Sequence, residues 1–244
     1  LGGKDNYAVD RAVAEASLAI MPELRDIALH NRAMLHRVVR HLAADEGITQ
    51  FLDLGSGLPT VRNTHEVAQE VNSQARVVYV DVDPIVLAHG RAILADNPNT
   101  TVVTADIREP EQLLDLPDVR RLIDFERPVC VMLVGILHHL ADEEGPGRII
   151  EVLRDAVPSG SFFFITNFTR LGDAPESVAL EKQLLEQLGT GRVRTPEELA
   201  AFFDGLEVLP PGLVPLPLWR PEQAILDAST IDVRFMTGGV GRKP

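Results

Sequence analysis

Three aspartates in the first half of the chain stand at the ends of short apolar runs, where polar groups could bind a ligand. Asp53 precedes the glycine pair Gly55 and Gly57 in the stretch FLDLGSGLPT, Asp81 closes RVVYVD, and Asp106 closes TTVVTAD. Glycines at a strand end let the backbone approach a ligand closely, and a following helix offers free N–H groups. A carboxylate at the end of the next strand accepts hydrogen bonds from both hydroxyls of a ribose. The pattern therefore predicts a site for a ligand that contains ribose.

The glycine pair looks like the start of the dinucleotide fingerprint G-x-G-x-x-G, but it departs from that motif in two ways. Thr60 stands where the third glycine is expected, directly after Pro59, and the next helix is predicted to begin only near Asn63. In a nicotinamide site the helix begins inside the glycine motif. The loop is therefore longer than a pyrophosphate needs, and an NAD site is the less favoured interpretation. The acidic Asp81 would also repel the 2′-phosphate of NADP.

Two of the strand-end acids have a structural interpretation beside the functional one. Asp83 precedes Pro84, which is the sequence of a helix N-cap followed by proline at the first helical position. Asp106 lies shortly before Pro110, where an aspartate commonly shapes a turn. As a ligand-binding residue, Asp106 would instead accept a hydrogen bond from an adenine amino group, with Ile107 against the ring. Both interpretations stay open at this point.

The segments that must position these residues alternate between short apolar runs and stretches of helical periodicity. From Gln50 to Phe168 the apolar runs are QFLDL, RVVYVDV, TTVVTAD, PVCVMLVGIL and GSFFFITNF. Short apolar runs between helices are typical of parallel strands that are covered on both faces. The predicted fold is thus α/β, a doubly wound Rossmann-like sheet. Ligands of such sheets bind at the carboxyl ends of the strands.

The rest of the chain is predicted to complete a single domain of residues 1–244. Residues 1–45 are expected to form a helical N-terminal cap, 46–168 the cofactor-binding core and 169–205 a helical insertion that acts as a lid. The N-terminal helices are predicted to part near Met21-Pro22, and the capping-box spacings Asn63 to Glu66 and Thr195 to Glu198 each predict the start of a helix. Residues 206–244 contain two extended segments, LEVLPPGLVPLPLWRP and TIDVRFMTGGVGRK, with no helix between them. These segments are expected to pair antiparallel at an edge, which gives a sheet of about seven strands.

The composition restricts the possible partners. The net charge of −13 creates a field that repels the phosphates of nucleic acids and anionic membranes. Hydrophobic residues make up 45% of the chain, enough for a sizeable core, yet no apolar run reaches the roughly 18 residues that span a bilayer. The single cysteine, Cys130, lies in an apolar run and is expected to be a buried hydrophobe. With no signal peptide visible, we predict a cytoplasmic protein that binds neither nucleic acid nor membrane and holds no metal.

Taken together, the motifs resemble a known family. Three strand-end acids beside a G-x-G loop are similar to the class I S-adenosylmethionine-dependent methyltransferases. Over essentially the whole chain, a narrower set of stretches resembles a bacterial family of S-adenosyl methyltransferases of unknown function: KDNYAVDR, HNRAMLHRVVRHL, QFLDLGSGLPT, NTHEVAQ, VYVDVDP, LHHLAD, PPGLVPLPLWRP and GGVGRK. The resemblance implies the fold and the cofactor S-adenosylmethionine, with S-adenosylhomocysteine as its product. It does not imply a substrate.

The same resemblance implies roles for individual residues. The implied cofactor contacts are Asp53, Gly55, Ser56 and Gly57 for the methionine part, Asp81 with Val82 and Asp83 for the ribose, Asp106 and Ile107 for the adenine, and the backbone of Leu133, Val134 and Gly135. Asn6 and Tyr7 are candidates to fold over the cofactor. Arg32 could pair with the methionine carboxylate through two nitrogens, although a solvated helix face explains it equally well. Pro59 stands where the methyltransferase superfamily in general has a third glycine. This difference agrees with the narrower family, which shares the stretch GLPT.

His138 and His139 follow the fourth apolar run and are the candidate catalytic residues. If the methyl acceptor is a hydroxyl, the reaction needs a general base, and histidine is the usual one near pH 7. The alternative is that His138 packs near the cofactor and His139 points outward. Methyltransferases that modify amino groups of nucleic acids keep an N-P-P-Y-like run after the fourth strand, and this sequence has none there. Together with the acidic charge, this predicts a small-molecule acceptor rather than a nucleic acid. The rival functions are an NAD-dependent oxidoreductase and a protein that binds S-adenosylmethionine without transferring its methyl group.

Overall fold

A computed structural model of the chain describes residues 15, 18–19, 22–57, 62–94, 96–170, 175–222 and 235–244. The candidates Asn6 and Tyr7 lie outside the described residues, as do Pro59 and Thr60 of the glycine loop. The strands are β1 (Gln50–Leu54), β2 (Arg76–Asp81), β3 (Thr100–Thr104), β4 (Cys130–Val134), β5 (Phe162–Phe168), β6 (Glu207–Val208), β7 (Val214–Pro215) and β8 (Met236–Arg242). The α-helices are α1 (Leu24–Ala44), α2 (Thr64–Val71), α3 (Pro84–Ile93), α4 (Pro110–Asp115), α5 (Pro117–Leu122), α6 (Pro146–Asp155), α7 (Pro175–Leu188) and α8 (Pro196–Ala201).

The strands of the described residues form one sheet with the order β3-β2-β1-β4-β5-β8-β6, and β7 also pairs with β8. Strands β1 to β5 are parallel to one another, and β8 runs antiparallel to β5. The strand order reverses between β1 and β4, and doubly wound sheets bind their ligands in the crevice at such a reversal. The predicted doubly wound α/β fold with an antiparallel C-terminal pairing is confirmed.

The C-terminal pairing is more divided than expected. The first extended segment forms two short strands, β6 and β7, and both pair with β8. Pro210 and Pro211 lie between them and carry no N–H groups for a ladder, and Gly212 then turns the chain with a φ of +96°. One continuous strand is therefore impossible here, and the described residues contain eight strands where about seven were predicted.

Alternate residues of the central strands pack into two hydrophobic layers. Phe51 and Val77 are buried with α1 and α2 on one face of the sheet. Their neighbours Leu52 and Val78 are buried with α4, α5, α6 and α8 on the other. A side chain buried this completely stabilises the fold by about 1.5–3 kcal/mol. Both faces of β1 and β2 are thus covered, and the strand ends that carry the candidate residues rest on a fixed core.

Two helices begin where their capping residues predict. The backbone N–H of Asn63 donates to the Glu66 carboxylate at 2.6 Å, directly before α2. The N–H of Thr195 likewise donates to Glu198 at 2.8 Å, and Thr195 Oγ1 accepts the N–H of Glu198 at 3.2 Å. These capping boxes confirm both predicted helix starts. Helix α2 therefore begins after a loop and not inside the glycine motif.

Helices of the predicted N-terminal cap and lid flank the sheet. Among the described residues before α1, Glu15 is helical, and a turn at Pro22 agrees with the expected break between two helices. Arg37 of α1 fixes the C-terminal segment, since its guanidinium donates to the carbonyl oxygens of Leu216 at 2.7 Å and Trp219 at 2.8 Å. In the lid region, α7 and α8 follow β5 in the chain.

Candidate functional site

A cavity of about 170 Å³ lies at the carboxyl end of β1, among α1, α2 and the strand ends. Six of the residues predicted from the sequence line it: Arg32, Asp53, Gly55, Ser56, Gly57 and Val134. Asn31, Thr64, His65 and Tyr79 add polar groups to the same wall, and apolar residues of α3 and β3 close the far side. The structure thus brings together the residues assigned to the methionine part of the cofactor.

The glycine loop is fixed to the end of β2. The N–H groups of Gly55 and Ser56 both donate to the carbonyl oxygen of Val80, at 2.8 and 3.1 Å. Gly55 has a φ of +69°, and a Cβ there would overlap the side chain of Ile136, so only glycine fits. Gly57 also has a positive φ, of +66°, but nothing lies within 4 Å of the place where its Cβ would be. Gly55 is required by packing, whereas Gly57 leaves open space beside the backbone.

Asp53 supplies a buried carboxylate to the cavity wall and is only 5% exposed. Its Oδ2 accepts a hydrogen bond from Thr64 Oγ1 at 2.8 Å. Burial raises the pKa of Asp53 to about 6, because the loss of hydration outweighs the hydrogen bond from Thr64 and the positive charge of Arg32. Asp53 is therefore mostly ionised at neutral pH and becomes protonated in mildly acidic solution.

Arg32 of α1 is the positive group of the cavity. Burial lowers the pKa of its guanidinium, while the charge of Asp53 opposes the shift, and an arginine remains protonated at neutral pH. Within the described part of the chain, no hydrogen bond or ion pair within 4.0 Å links this guanidinium to another residue. A partly buried cation without a partner among the described residues is suited to bind an anionic group of a ligand.

Asn31, next to Arg32, connects α1 to the strand ends. Its side-chain oxygen accepts a hydrogen bond from Thr166 Oγ1 of β5 at 2.9 Å. Gly135, the first residue after β4, has a φ of +69°, and a Cβ there would lie 3.3 Å from Asn31 Nδ2. The N–H of Gly135 donates to the carbonyl oxygen of Thr166 at 3.1 Å. Of the three backbone positions predicted after the fourth strand, Val134 lines the cavity, Gly135 borders Asn31, and Leu133 is buried in the core.

Tyr79 and His65 belong to the site although the sequence did not single them out. The Tyr79 hydroxyl accepts the backbone N–H of His65 at 2.8 Å and lies 2.8 Å from His65 Nδ1. Burial lowers the pKa of His65, so its neutral ring can accept the tyrosine proton. The sequence offered one signal, a tyrosine in the apolar run RVVYVD, because a hydroxyl inside a covered strand must find a polar partner.

Asp81 ends β2 beside the glycine loop. Its carboxylate accepts the N–H of Gly57 at 2.8 Å and that of Asp83 at 3.0 Å. Asp83 in turn accepts the N–H of Ile85 at 2.8 Å and forms the N-cap of α3, which was the structural alternative for this residue. Val82 between them is 63% exposed. Asp81 is therefore the acid of this segment that contacts the loop, and Val82 offers an apolar surface next to it.

Asp106 and Ile107 lie apart from the residues that line the cavity. Arg108 pairs with Asp106 through its side chain, with Nε 2.9 Å from both carboxylate oxygens, and its backbone N–H donates to Asp106 at 2.9 Å. These contacts lower the pKa of Asp106. Arg108 also contacts Glu144 at 2.8 Å. Ile107 is buried in the second hydrophobic layer. The geometry agrees with the turn interpretation of Asp106, and its assignment to adenine stays a prediction.

His138 and His139 form a short 3₁₀ turn after β4 and do not line the cavity. The ring of His138 is buried edge-on against Phe168, with centroids 4.8 Å apart, and its Nδ1 has no hydrogen-bond partner among the described residues. Burial holds the pKa of His138 well below its usual value. His139 Nδ1 lies 3.3 Å from Thr190 Oγ1, and burial lowers its pKa while the charge of Asp81 raises it. Both rings are therefore neutral near pH 7.

The residues of the cavity fit S-adenosylmethionine in chemical type. Arg32 and Asp53 offer one charge of each sign, and the buried Ser56 Oγ has no hydrogen-bond partner within the described ranges. Gly57 provides the open backbone that a ligand can approach. Among the described residues, no three His, Cys, Asp or Glu side chains are grouped to hold a metal ion. No helix in the described part of the chain is both long enough and apolar enough to cross a membrane.

Comparisons with known proteins identify the family of the chain. Residues 1–244 match a family described as S-adenosyl methyltransferase. A solved structure of a presumed methyltransferase from Thermobifida fusca is similar, with 50% identity, a TM-score of 0.96, and coverage of 100% of this chain and 91% of that chain. A DUF574 family protein from Streptomyces avermitilis shows 38% identity and a TM-score of 0.91, with coverage of 100% and 94%. No match was found among curated proteins.

A more distant structure extends the likeness of the fold alone. It is an O-methyltransferase family 2 protein from Planctomyces limnophilus in complex with apigenin, at 16% identity and a TM-score of 0.55. The alignment covers 100% of this chain and 64% of that chain. Since the family match spans the whole chain, the protein belongs to the S-adenosyl methyltransferase family and has the Rossmann-like fold of the class I enzymes.

Proposed function

We propose that the protein transfers a methyl group from S-adenosylmethionine to a small-molecule acceptor. The observation that supports this is the pair of opposite charges, Asp53 and Arg32, which line one cavity without forming an ion pair with each other. The amino-acid end of the cofactor carries an ammonium and a carboxylate. Asp53 would accept hydrogen bonds from the ammonium, and Arg32 would bind the carboxylate through its planar guanidinium.

The neighbouring residues would hold the rest of the cofactor. Asp81 would accept hydrogen bonds from the ribose hydroxyls, and its carboxylate already borders the loop through the N–H of Gly57. Ser56 Oγ is a buried group that a ligand could satisfy. For the adenine, Asp106 would have to exchange its contacts with Arg108 for a ligand amino group. Asn6 and Tyr7 remain candidates to cover the cofactor.

The catalytic demand on the protein is small. When bound, S-adenosylmethionine supplies a methyl group on a positively charged sulfur that is already a good leaving group. The residues of this chain have to fix the donor, admit the acceptor in line with the methyl carbon and exclude water. For a hydroxyl acceptor, His138 or His139 would take up the proton, because a neutral imidazole is the form that acts as a base.

A small-molecule acceptor is favoured by charge. At a net charge of −13 the chain repels polyanionic substrates, and among the described residues Arg40 and Arg62 are both paired with Glu70. Thr190, in the segment predicted to form the lid, lies with its Oγ1 3.3 Å from Nδ1 of the candidate base His139. These features support a small acceptor that the predicted lid would enclose.

Calorimetry with S-adenosylmethionine, S-adenosylhomocysteine and NAD tests the cofactor. We expect the first two to bind and NAD to fail; binding of NAD alone would favour the rival oxidoreductase. Product detection by mass spectrometry over a panel of small hydroxylated and amino compounds then tests methyl transfer, and binding without any product would favour a non-catalytic protein. With an acceptor in hand, His138→Asn and His139→Asn test the base. Unchanged turnover in both variants would exclude that role.

A further inference from the structure

The carboxylate of Asp53 is surrounded by groups from four elements. Arg32 faces it from α1, Thr64 from α2, Tyr79 and Asp81 from β2, and Cys130 lies close by on β4. Of these groups, only Thr64 donates a hydrogen bond to it among the described residues, from Oγ1 to Oδ2 at 2.8 Å. The Thr64 side chain is itself buried. This single donor decides how the carboxylate is oriented.

We propose that Thr64 is a positioning residue for cofactor binding: its hydroxyl holds the Asp53 carboxylate ionised and turned so that its second oxygen faces the cavity. The inference rests on the proposed function, because the ammonium of the cofactor is the group that this oxygen would receive. Nothing in the sequence motifs assigns such a role, since Thr64 lies outside the glycine loop and is the first residue of α2.

The backbone on either side of Thr64 is held by three contacts at the start of α2. Asn63 before it is bound through its N–H to the Glu66 carboxylate at 2.6 Å. His65 after it is bound to Tyr79 of β2, both through its backbone N–H and through Nδ1, at 2.8 Å each. The first turn of α2 is thus attached to the strand that runs beside β1. The backbone that carries Thr64 is therefore held beside Asp53.

A hydrogen bond to the charged form of a carboxyl group lowers its pKa, whereas burial raises it. Thr64 therefore opposes the desolvation that brings the pKa of Asp53 to about 6. Without the hydroxyl, the pKa of Asp53 would rise further, and at a given pH less of the protein would carry the negative charge that binds an ammonium. The expected rise is about one pH unit, the value of one hydrogen bond to a charged group.

The test is calorimetry with S-adenosylhomocysteine between pH 5 and 7.5, on the wild type, Thr64→Val and Thr64→Ser. Above this window the ammonium of the ligand begins to titrate. His65 also lines the cavity, and burial lowers its pKa, so throughout the window its ring is protonated less than a free imidazole would be. We expect affinity to fall tenfold per pH unit below a midpoint near 6 in the wild type and Thr64→Ser. In Thr64→Val the midpoint moves up by about one unit.

A second readout uses the protein without ligand. The unfolding free energy of Thr64→Val, relative to Thr64→Ser, should fall mainly above pH 6, where Asp53 is ionised, and the difference should shrink towards pH 4. A packing defect would cost the same at every pH. Thr64→Ala serves if the valine variant does not fold, and Asp53→Asn should remove the pH dependence in every background.

The outcomes separate the two proposals. If the wild type does not bind S-adenosylhomocysteine at all, the proposed function fails. If the wild type binds with a midpoint near pH 6 and the valine and alanine variants show the same midpoint, the role of Thr64 is overturned while the proposed function stands. A raised midpoint with rescue by serine, together with a stability loss confined to high pH, supports both.

Discussion

The carboxyl edge of the sheet has two halves that look alike in sequence and differ in structure. At the ends of β1 and β2, Asp53 lines the cavity and Asp81 contacts the glycine loop, and no basic side chain pairs with either acid among the described residues. At the end of β3, Asp106 is bound by Arg108, two residues further along the chain. After β4, the ring of His138 is buried against Phe168.

The difference shows that a strand-end acid is open to a ligand only when its own neighbours leave it unpaired. Asp81 is followed by Val82 and Asp83, which cannot donate a charged side-chain hydrogen bond, and within the described part of the chain its carboxylate accepts only backbone N–H groups. Asp106 is followed by a residue whose guanidinium can reach back to it. The acids in the first half of the edge are therefore open to a ligand, whereas Asp106 in the second half would have to leave Arg108 to bind one.

Replacing Asp81 should weaken cofactor binding more than replacing any other acid at this edge of the sheet. In Asp81→Ala the ribose would lose two hydrogen bonds to a charged acceptor, each worth about 1.5–3 kcal/mol, so the affinity for S-adenosylhomocysteine should fall at least 100-fold. The matched control is Asp106→Ala, for which we expect a loss of less than about threefold, because Arg108 already occupies that carboxylate. Calorimetry measures both. Equal losses would show that Asp106 opens to the adenine and that the two halves act alike.

Gly55 and Gly57 of the glycine loop should differ in how much their replacement destabilises the fold. Gly55 lies against Ile136 in the segment after β4, and Gly57 does not. In Gly55→Ala the new Cβ would overlap Ile136, which follows β4, and the backbone would remain at a positive φ. We expect a loss of about 2–4 kcal/mol in the free energy of unfolding. Gly57→Ala has the same backbone conformation but open space, so its loss should be about 1–2 kcal/mol.

Denaturant unfolding at neutral pH distinguishes these cases. A smaller loss for Gly55→Ala than for Gly57→Ala would mean that the loop can move away from Ile136, and that the two halves are not joined at this contact.

Replacing Asp53 should raise the stability of the fold and lower its affinity for the cofactor. The pKa of Asp53 is raised from 3.8 in an unfolded chain to about 6, so its burial in ionised form costs up to about 3 kcal/mol above pH 6 and nothing below pH 4. Asp53→Asn should therefore be more stable than the wild type at pH 7.5 by up to this amount, and equally stable at pH 4. The same variant should bind S-adenosylhomocysteine about 10- to 100-fold more weakly at pH 7.5, because one hydrogen bond to a charged acceptor is lost.

Thermal or urea unfolding across this pH range measures the effect. A destabilised Asp53→Asn at pH 7.5 would indicate that the pairing of charges with Arg32 outweighs the desolvation of the carboxylate. In that case the first half of the edge would be held by its own ion pair, as the second half is.

The elements could be predicted from the sequence because each rests on local patterns. Apolar runs gave the parallel strands, and Asn63 with Glu66, like Thr195 with Glu198, gave the helix starts. The split of the C-terminal segment into β6 and β7 was not anticipated, although its prolines were the available signal.

The site was only half predictable, since burial and side-chain direction depend on contacts between distant segments. Thr64 and Tyr79 reach the cavity because α2 packs across β1 and β2, and this arrangement is not visible in the spacing of residues. The pairing of Asp106 with Arg108 depends on one rotamer of a long side chain. From the sequence alone, Asp106 could therefore either bind a ligand or pair with Arg108. Asp81 has no arginine two residues later, so its carboxylate has no such local partner.

Replacing Arg108 should change the free energy of unfolding less than the other substitutions do. Arg108 is about half exposed, and an exposed ion pair contributes about 0–1 kcal/mol, so Arg108→Gln should change the free energy of unfolding by less than about 1 kcal/mol, and less still in high salt. Its effect on cofactor affinity is the informative part. If the second half is closed only by this side chain, freeing Asp106 should strengthen the binding of S-adenosylhomocysteine a few-fold in Arg108→Gln, and the additional substitution Asp106→Asn should cancel the gain. An affinity that does not change in either variant would mean that Asp106 shapes the turn before α4 and has no part in the cofactor site.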